Sequence, residues 1–253
     1  MKKILFLFLL FLTYVSYGNA QESIKDTTIY ANLNNDGIID KINVRFSIDE
    51  KEGGMDYTLT INGNSLTGRF EYSEYGEVML MDINSGDNFK EIAIVGYGMN
   101  DFNDFHLYTL RSKPRYIGEA SGVFNLETTG NGYATCEYWM GFWSLKKKYK
   151  LIYEGTFLRE IEEEEYPLNQ ECTATDSFKL LTCREDNSSV SVEVKAGDKL
   201  VIIASDIRPM KDAGDYIDDY SYIWYKIKTS TGKSGWIRLI NFQEKVEGLI
   251  WAG

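Results

Sequence analysis

One short segment, residues 224–237 (WYKIKTSTGKSGWI), limits the structures open to this chain more than any other. Its first residues alternate, so that Tyr225 and Ile227 would lie on one face of an extended strand and Trp224 on the other. The polar residues 229–233 include a glycine, which tolerates the positive φ angle of a tight turn. A second run begins directly afterwards on Gly-Trp-Ile. The segment therefore predicts a β-hairpin.

Short strand patterns separated by turn residues also dominate the rest of the chain. β-Branched, aromatic and aliphatic residues mix in segments 27–31, 41–48, 57–61, 77–81, 91–95, 105–110, 146–152, 178–181 and 200–203. Clusters of Gly, Asn and Asp separate many of these segments, as tight turns require. The sequence has no sustained helical periodicity. We therefore expect an all-β protein.

The N-terminus predicts export from the cytoplasm. Lys2 and Lys3 precede a run rich in Leu, Phe and Ile, and small residues follow it, so residues 1–20 read as a signal peptide cleaved near Ala20. The apolar run is shorter than the roughly 20 residues of a comfortable membrane span, and no later segment is long and apolar enough. We expect a periplasmic or secreted protein without a membrane span.

The overall charge narrows the choice of partners. Loss of the two lysines of the signal peptide takes the formal charge from -11 to -13. A surface this acidic repels phosphate backbones, so we expect no nucleic acid partner. It favours metal cations or basic partners, and plain solubility is the alternative explanation.

The three cysteines are Cys136, Cys172 and Cys183. An odd number in an exported chain allows at most one internal disulfide and leaves a free thiol. Cys172 and Cys183 are close enough in sequence to pair, and two buried thiols are the alternative. With no CxxC motif and one histidine, His106, a Cys/His zinc site is not expected.

An acidic run predicts where the mature chain divides. Residues 160–165 carry five glutamates, and Pro167 lies two positions after the last of them. Like charges in a row repel one another, which indicates a solvated connector. We therefore expect an all-β domain over residues 21–158, an acidic linker over residues 159–174, and a second β domain over residues 175–253.

The first Asn/Asp-rich loop has the spacing of a calcium-binding loop. Oxygen-bearing side chains stand at alternate positions, a glycine stands at the sixth position, and a peptide carbonyl would serve at the seventh. Ca²⁺ takes six to eight oxygen ligands, so a chain that wraps it must present oxygens in this way. The candidate ligands are Asn32, Asn34, Asp36, Asp40 and the carbonyl of Ile38.

A second loop repeats this arrangement about fifty residues later, with one extra residue. Its candidate calcium ligands are Asp82, Asn84, Asp87 and Glu91. Residues 127–132 form a third, more degenerate version. A period of about fifty residues is typical of β-propeller blades and other β repeats. The alternative is that these loops are Asx-rich turns that bind no metal.

The first two loops, with the strands that follow them, resemble the FG-GAP (VCBS) repeat family. That resemblance implies calcium at the edges of β-propeller blades and assigns the residues named above as ligands. The sequence departs from the family pattern at Asn32, where the family has Asp, and in the extra residue of the second loop. The resemblance implies a propeller-like or sandwich β-repeat domain in the N-terminal half.

The C-terminal segment is similar to the bacterial SH3 (SH3b) domain, over residues 175–243. The similarity rests on a Gly-Asp turn before a buried strand, on the Trp-Tyr-Lys-Ile run, and on Gly-Lys-Ser-Gly-Trp-Ile. It implies a small SH3-like barrel that binds ligands through Trp224, Tyr225 and Trp236, although core packing is the alternative for both tryptophans. A long loop, residues 206–222, adds Asp and Tyr residues, and Tyr216 and Tyr220 in it are further candidates for ligand contact.

Catalytic signatures are absent from the sequence. His106 lies in an alternating strand pattern, and there is no Gly-x-Ser-x-Gly elbow or GxGxxG loop. We therefore expect a non-enzymatic binding protein of the cell envelope that recognises a peptide, a peptidoglycan fragment or an envelope protein. The alternatives are an inhibitor or immunity-type protein that blocks a toxin or wall hydrolase and, less favoured, an envelope hydrolase that uses two carboxylates.

Overall fold

The computed structural model describes residues 24–49, 53–99, 102–209 and 220–251. These residues form antiparallel sheets joined by turns, so the predicted all-β class is confirmed. The predicted signal peptide lies outside the described residues. In the part of the chain that is described, no helix has the length and apolarity needed to cross a bilayer.

The N-terminal half contains three successive four-stranded sheets. Unit 1 comprises β1 (Ile24–Ala31), β2 (Asp40–Ile48), β3 (Met55–Ile61) and β4 (Asn64–Phe70). Unit 2 comprises β5 (Ser73–Met81), β6 (Glu91–Gly98), β7 (Phe102–Leu110) and β8 (Pro114–Val123). Unit 3 comprises β9 (Glu127–Thr128), β10 (Tyr133–Trp139), β11 (Ser144–Ile152) and β12 (Phe157–Ile161). In each unit the strands pair in sequence order.

The C-terminal half forms one seven-stranded sheet. Its strands are β13 (Tyr166–Ala174), β14 (Phe178–Leu181), β15 (Val190–Val194), β16 (Lys199–Asp206), β17 (Trp224–Thr229), β18 (Ser234–Arg238) and β19 (Val246–Glu247). Short 3-10 helices cover Tyr220–Tyr222, Leu239–Asn241 and Gln243–Lys245. The strand order is β15-β14-β18-β17-β16-β13-β19, and the sheet does not close into a barrel.

The hairpin predicted from residues 224–237 is present. Strand β17 pairs with β18 in antiparallel register, with Tyr225 opposite Ile237 and Ile227 opposite Gly235. The turn contains Gly232 at φ +85°. The predicted alternation also holds, because Tyr225 and Ile227 pack into the large C-terminal core while Trp224 packs on the opposite face.

The predicted linker is wrong over much of its length. Residues 159–161 belong to β12, and β13 begins at Tyr166, so only the short acidic stretch between them connects the two halves. Strand β13 pairs with β16 along most of its length. Its inward side chains Tyr166, Cys172 and Ala174 are buried in the C-terminal core. These buried side chains alternate with polar ones, and the strand begins directly after the run of glutamates. The segment therefore lacks the continuous apolar pattern that would have indicated a strand.

Unit 2 is buried on both faces, which explains why β6 is apolar throughout. Ile92 and Ile94 pack with unit 1, while Ala93 and Val95 pack with unit 3. Successive residues of a strand point to opposite faces, so a strand between two sheets needs apolar residues at every position. The three units therefore pack face to face in chain order.

The C-terminal core is shared with unit 3. The turn between β10 and β11 places Met140, Phe142 and Trp143 in the same cluster as Tyr225 and Phe242. Trp143 donates a hydrogen bond from Nε1 to the hydroxyl of Tyr225 at 3.2 Å. The SH3b resemblance implies a C-terminal half with a core of its own. The structure differs, because side chains of unit 3 form part of that core.

All three cysteines are free. Cys136 and Cys172 are buried, whereas Cys183 is exposed. The pairing of Cys172 with Cys183 is therefore wrong, and so is the alternative in which both are buried. Burial raises the pKa of the Cys136 and Cys172 thiols to about 11, which keeps them protonated and unreactive.

Candidate functional site

The Asn/Asp-rich loops occupy equivalent places in the three units. Loop 1 (residues 32–39) joins β1 to β2, loop 2 (residues 82–90) joins β5 to β6, and loop 3 (residues 129–132) joins β9 to β10. The backbone N–H of Lys90 donates to the carbonyl of Leu33 at 2.8 Å, and that of Gly132 donates to the carbonyl of Ile83 at 2.7 Å. The loops therefore lie side by side in a row along the stacked units.

Loops 1 and 2 share a set of internal hydrogen bonds. In loop 1, Asn34 Nδ2 donates to Asp36 Oδ2 at 3.0 Å, and Asp36 Oδ1 accepts from the backbone of Ile38 at 2.8 Å. In loop 2, Asn84 Nδ2 donates to Asp87 Oδ2 at 3.1 Å, and the backbone of Phe89 donates to Asp87 Oδ1 at 2.8 Å. The two loops are therefore one motif used twice, and the extra residue of loop 2 is absorbed between Asn84 and Asp87.

The last carboxylate of each motif closes its loop. Asp40 Oδ2 accepts from the backbone of Leu33 at 2.9 Å, and Glu91 Oε2 accepts from the backbone of Ile83 at 3.0 Å. Asp40 Oδ1 also accepts from Asn62 Nδ2 at 2.6 Å. These two predicted ligands thus hold the backbone of the loops in the structure as it stands.

Three oxygens of the predicted calcium ligands are buried without a hydrogen-bond partner. They are Asn32 Oδ1, Asp82 Oδ1 and Glu91 Oε1. Glu91 is fully buried, and burial, helped by the charges of Asp87 and Asp82, raises the pKa of its carboxyl to about 7. Within the described ranges no three His, Cys, Asp or Glu side chains come together as a metal-binding group, so any ion here would depend on amide and carbonyl oxygens as well.

The aromatic residues predicted to bind a ligand in the C-terminal half are buried. Trp224 is 2% exposed, Tyr225 0% and Trp236 6%. Tyr220 is partly buried against the C-terminal core, and Tyr216 lies outside the described residues. The structure therefore gives these three strand residues a packing role, which was the alternative for the two tryptophans.

Basic side chains cover the two tryptophans on the outer face of the C-terminal sheet. The guanidinium of Arg184 lies 5.0 Å and the ammonium of Lys226 5.2 Å from the centre of the Trp236 ring. Arg238 lies 4.4 Å from the Trp224 ring. Arg184 is held in turn by Asp206 at 3.0 Å and by Glu164 of the acidic connector at 2.7 Å. The protein's own cations thus occupy the aromatic faces that a ligand would need.

A cleft of about 880 Å³ lies where the three N-terminal units meet. We call it the central cleft. One wall is the end of β4 and the turn after it, including Phe70 and Tyr72; a second is the face of β7 and β8; the third comes from β10, β11 and β12. Its side chains are a mixture of aromatic rings and carboxylates, which is unlike the apolar interior between the units.

Strands β7 and β8 bring the ionisable groups of the cleft together. Asp104 pairs with Ser121 and His106 with Glu119 across the two strands. Residues at alternate positions of a strand share a face, so these four side chains all point into the cleft. His106 Nε2 lies 3.9 Å from Glu119 Oε2.

A chain of hydroxyl groups fixes the imidazole ring of His106. Nδ1 of His106 is 2.6 Å from the hydroxyl of Tyr57, which is 2.6 Å from the hydroxyl of Tyr108. The ring also stacks on Phe70, with centroids 4.3 Å apart. Burial lowers the pKa of His106, and the charge of Glu119 opposes this only in part. The imidazole is therefore oriented by its neighbours and favoured in its neutral form.

Two of the carboxyl groups that line the cleft, those of Glu119 and Asp104, have different surroundings. Glu119 Oε2 accepts a hydrogen bond from the hydroxyl of Tyr116 at 2.9 Å. Asp104 is partly buried, and in the described part of the chain no residue forms a hydrogen bond or an ion pair with its carboxyl group. Burial, together with the charge of Glu119, raises the pKa of Asp104 to about 6.

Sequence reasoning missed the central cleft. The alternation Asp104-Phe105-His106-Leu107 does place the aspartate and the histidine on one face of a strand. Strand β8 was not among the predicted strands, so the register that brings Glu119 and Ser121 to the same face could not be inferred. The stacking of unit 1 and unit 3 around this face depends on contacts between distant parts of the chain.

Comparison with known proteins yields no relatives from which a function could be transferred. No protein-family model matches the chain, no curated protein matches it, and no solved structure matches it. The central cleft and the row of loops therefore have to be interpreted from their own chemistry.

Proposed function

We propose that the protein is an exported, non-enzymatic binding protein of the cell envelope, and that it holds its ligand in the central cleft. The observation that carries this proposal is the cleft itself, a recess of about 880 Å³ that combines aromatic walls with an unpaired carboxyl group, Asp104. Pockets of roughly 300–1,000 Å³ with a few convergent polar groups are the usual form of a ligand site. Peptides, peptidoglycan fragments and envelope proteins are the candidate ligands.

The arrangement of the units supports a repeat scaffold of the FG-GAP type. Three four-stranded antiparallel units follow one another, and the Asn/Asp-rich loops fall at the same connection in each. We propose that this half is propeller-like, with fewer units than a closed propeller. For the C-terminal half, the β17–β18 hairpin supports a relationship to SH3b domains, in a version with an additional strand, β13, and a core shared with unit 3.

We further propose that loops 1 and 2 bind Ca²⁺. The shared hydrogen-bond pattern supports a common purpose for the two loops, and the unpaired buried oxygens of Asn32, Asp82 and Glu91 are groups that a cation would satisfy. Ca²⁺ would neutralise the carboxylates of loop 2 and tie each loop to the start of its following strand. Its role would be to stiffen the scaffold beside the cleft.

Calcium should raise the melting temperature of the mature protein. Extracellular calcium modules have dissociation constants of about 10⁻⁴–10⁻³ M, so 10 mM Ca²⁺ should stabilise the fold by about 1.4–2.7 kcal/mol for each occupied loop, relative to excess chelator. The double variant Asp36→Asn/Asp87→Asn retains an oxygen for the backbone N–H groups of Ile38 and Phe89, and it should lose the shift. Calorimetry with 10 mM Mg²⁺ as the control ion measures this. Equal melting temperatures with calcium and with chelator would remove the metal proposal.

The binding function is tested by filling the central cleft. Ser121 lies opposite Asp104 and lines the cleft, so Ser121→Trp should block it. The mature protein should sediment with insoluble peptidoglycan, and Ser121→Trp should reduce the bound fraction about tenfold. Ser177→Trp, in the exposed turn between β13 and β14, is the matched control and should bind as the unmodified protein does. If both variants sediment equally, or if the protein does not sediment at all, the cleft is not a peptidoglycan-binding site.

The pair of carboxyl groups favours one second candidate, a carboxylate-based hydrolase. Such enzymes use two carboxyl groups in different surroundings; burial raises the pKa of Asp104 to about 6, while Glu119 is exposed and bonded to Tyr116. The sedimentation experiment also decides this point. If soluble fragments appear in the supernatant and the variant Glu119→Gln abolishes their release, hydrolysis replaces binding as the function of the cleft.

A further inference from the structure

We infer that the central cleft recognises the cationic side chain of a lysine or arginine residue in a peptide ligand, with Asp104 and Glu119 as its counter-charges and the neighbouring aromatic rings as its walls. This inference rests on the proposed binding function and specifies the chemistry of the ligand. It depends on the balance of charge in the cleft, on the missing partner of Asp104 and on the aromatic surface beside it.

The cleft carries more negative than positive charge. Four carboxylate side chains line it, namely Glu71, Asp104, Glu119 and Glu160, against two basic side chains, Arg69 and Lys147. Arg69 is already engaged, because its guanidinium lies 3.2 Å from Asp56 and 3.6 Å from both Asp49 and Glu71. Arg69 and Glu71 therefore compensate each other, and three carboxylates, Asp104, Glu119 and Glu160, remain against Lys147.

Asp104 is the group whose environment most requires a ligand. A carboxylate that loses part of its hydration is stabilised when a cation or hydrogen-bond donors replace the lost water. The described residues supply neither to Asp104, and the nearest charge acting on it is that of another carboxylate, Glu119. A ligand ammonium or guanidinium group would relieve both the burial and the repulsion.

Glu119 is placed to act as the second counter-charge. The hydroxyl of Tyr116 and the imidazole of His106 both face its Oε2 atom, while no described residue bonds to Oε1. Because both of these neighbours face Oε2, the Oε1 atom of Glu119 remains available to a ligand. Two carboxylates on adjacent strands suit a group with several N–H donors better than they suit an anion or an apolar group.

The aromatic wall of the cleft has one ring face that is already covered by a cation and one that is open. Nζ of Lys147 lies 4.3 Å from the centre of the Tyr138 ring, within the range of a cation–π contact. Phe102 supports Tyr138 through an edge-to-face contact at 5.6 Å. On the opposite side, Tyr72 is 83% exposed, which leaves a large ring available at the entrance. The methylene stem of a lysine or arginine side chain would pack against the open Tyr72 ring, because Lys147 covers Tyr138.

Neutral ligands fit this arrangement less well. A sugar could stack on the same rings and hydrogen-bond to the carboxylates, but it would leave the charge of the partly buried Asp104 uncompensated. An anionic group would face three carboxylates and one lysine that are not paired with Arg69. The charge that completes the site is therefore positive.

The test compares two peptides that differ in one charge. Binding of acetyl-Gly-Lys-Gly amide and acetyl-Gly-norleucine-Gly amide to the mature protein is measured by isothermal titration calorimetry. We expect the lysine peptide to bind at least about tenfold more tightly than the norleucine peptide, the discrimination that corresponds to about 1.4 kcal/mol. In Asp104→Asn this preference should disappear. Asp26→Asn, the same substitution on the exposed strand β1, should retain it.

Outcomes for the ligand class and for the binding function are separable. Equal affinity for the two peptides, or the same preference in Asp104→Asn as in the unmodified protein, overturns the inference of a cationic ligand. If Ser121→Trp nevertheless prevents sedimentation with peptidoglycan, the cleft still binds a ligand, of another class. Circular dichroism confirms that Asp104→Asn is folded; Glu119→Gln provides a second variant, which should weaken lysine peptide binding as well.

Discussion

Replacing Trp143 by alanine should destabilise the whole protein by about 3–5 kcal/mol, the cost typical of removing a large buried aromatic side chain. Trp143 lies in the turn between β10 and β11, yet it is buried in the core of the C-terminal sheet. The substitution removes its contacts there and also the hydrogen bond that its indole donates to Tyr225. Urea unfolding followed by far-UV circular dichroism measures the loss.

A tryptophan that is not part of this core provides the control for Trp143. Trp251 is 42% exposed and contacts Phe142 from outside, so Trp251→Ala should cost less than about 1 kcal/mol. Because unit 3 and the C-terminal sheet share one core, these two parts should unfold in the same transition of the unmodified protein. Similar losses for the two alanine variants would contradict the shared core.

The shared core also shows where sequence reasoning reaches its limit. The hairpin of residues 224–237 follows from alternation and from turn chemistry, both of which act between near neighbours, and it was predicted correctly. The turn between β10 and β11 contains Met140, Phe142 and Trp143, but nothing local indicates which sheet these side chains enter. The core that they enter includes side chains from distant parts of the chain, as the hydrogen bond from Trp143 to Tyr225, 82 positions away, illustrates.

The acidic connector shows the same limit in a different form. A run of glutamates indicates exposure to solvent, and the stretch before Tyr166 is indeed mostly exposed. The sequence does not reveal that Glu164 pairs with Arg184 and so helps to hold a cation over Trp236. The face of Trp236 that was predicted to bind a ligand is therefore covered by Arg184. Neither the alternation of residues nor the composition of the sequence identifies this contact.

The two functional predictions depend on different kinds of information. The loops that carry Asp36 and Asp87 were identified from spacing alone, because a chain that turns around an ion or an Asx network needs polar side chains at fixed intervals. The central cleft has no such local pattern, since Asp104, Glu119 and Tyr138 come from different strands, β7, β8 and β10, in two sheets. Register across β7 and β8, and the stacking of the units, create the site.

Asp206→Asn should be the most damaging change of a single charge, with a loss of about 2–3 kcal/mol at pH 7. Asp206 is 3% exposed, and its carboxylate accepts bonds from Arg208 at 2.7 and 2.8 Å and from Arg184 at 3.0 Å. Removing one partner of a buried ion pair usually costs about 3–5 kcal/mol; the two arginines reach solvent, which reduces that figure. Asp186→Asn, which affects the more exposed pair with Arg238, should cost at most about 1 kcal/mol.

The pH dependence of the Asp206 variant distinguishes a lost charge from a lost contact. Burial alone would raise the pKa of Asp206, but the hydrogen bonds and charge of Arg208, together with the charge of Arg184, hold it below its ordinary value. A carboxyl group whose pKa is lowered by folding stabilises the fold above its unfolded pKa of about 3.9, and that contribution is lost as the pH falls through the folded value. The difference in unfolding free energy between the unmodified protein and Asp206→Asn should therefore be constant from pH 7 to about pH 5 and shrink below about pH 4. A difference that stays constant down to pH 2.5 would mean that the ion pairs of Asp206 contribute nothing, and that the network over Trp236 is held by packing instead.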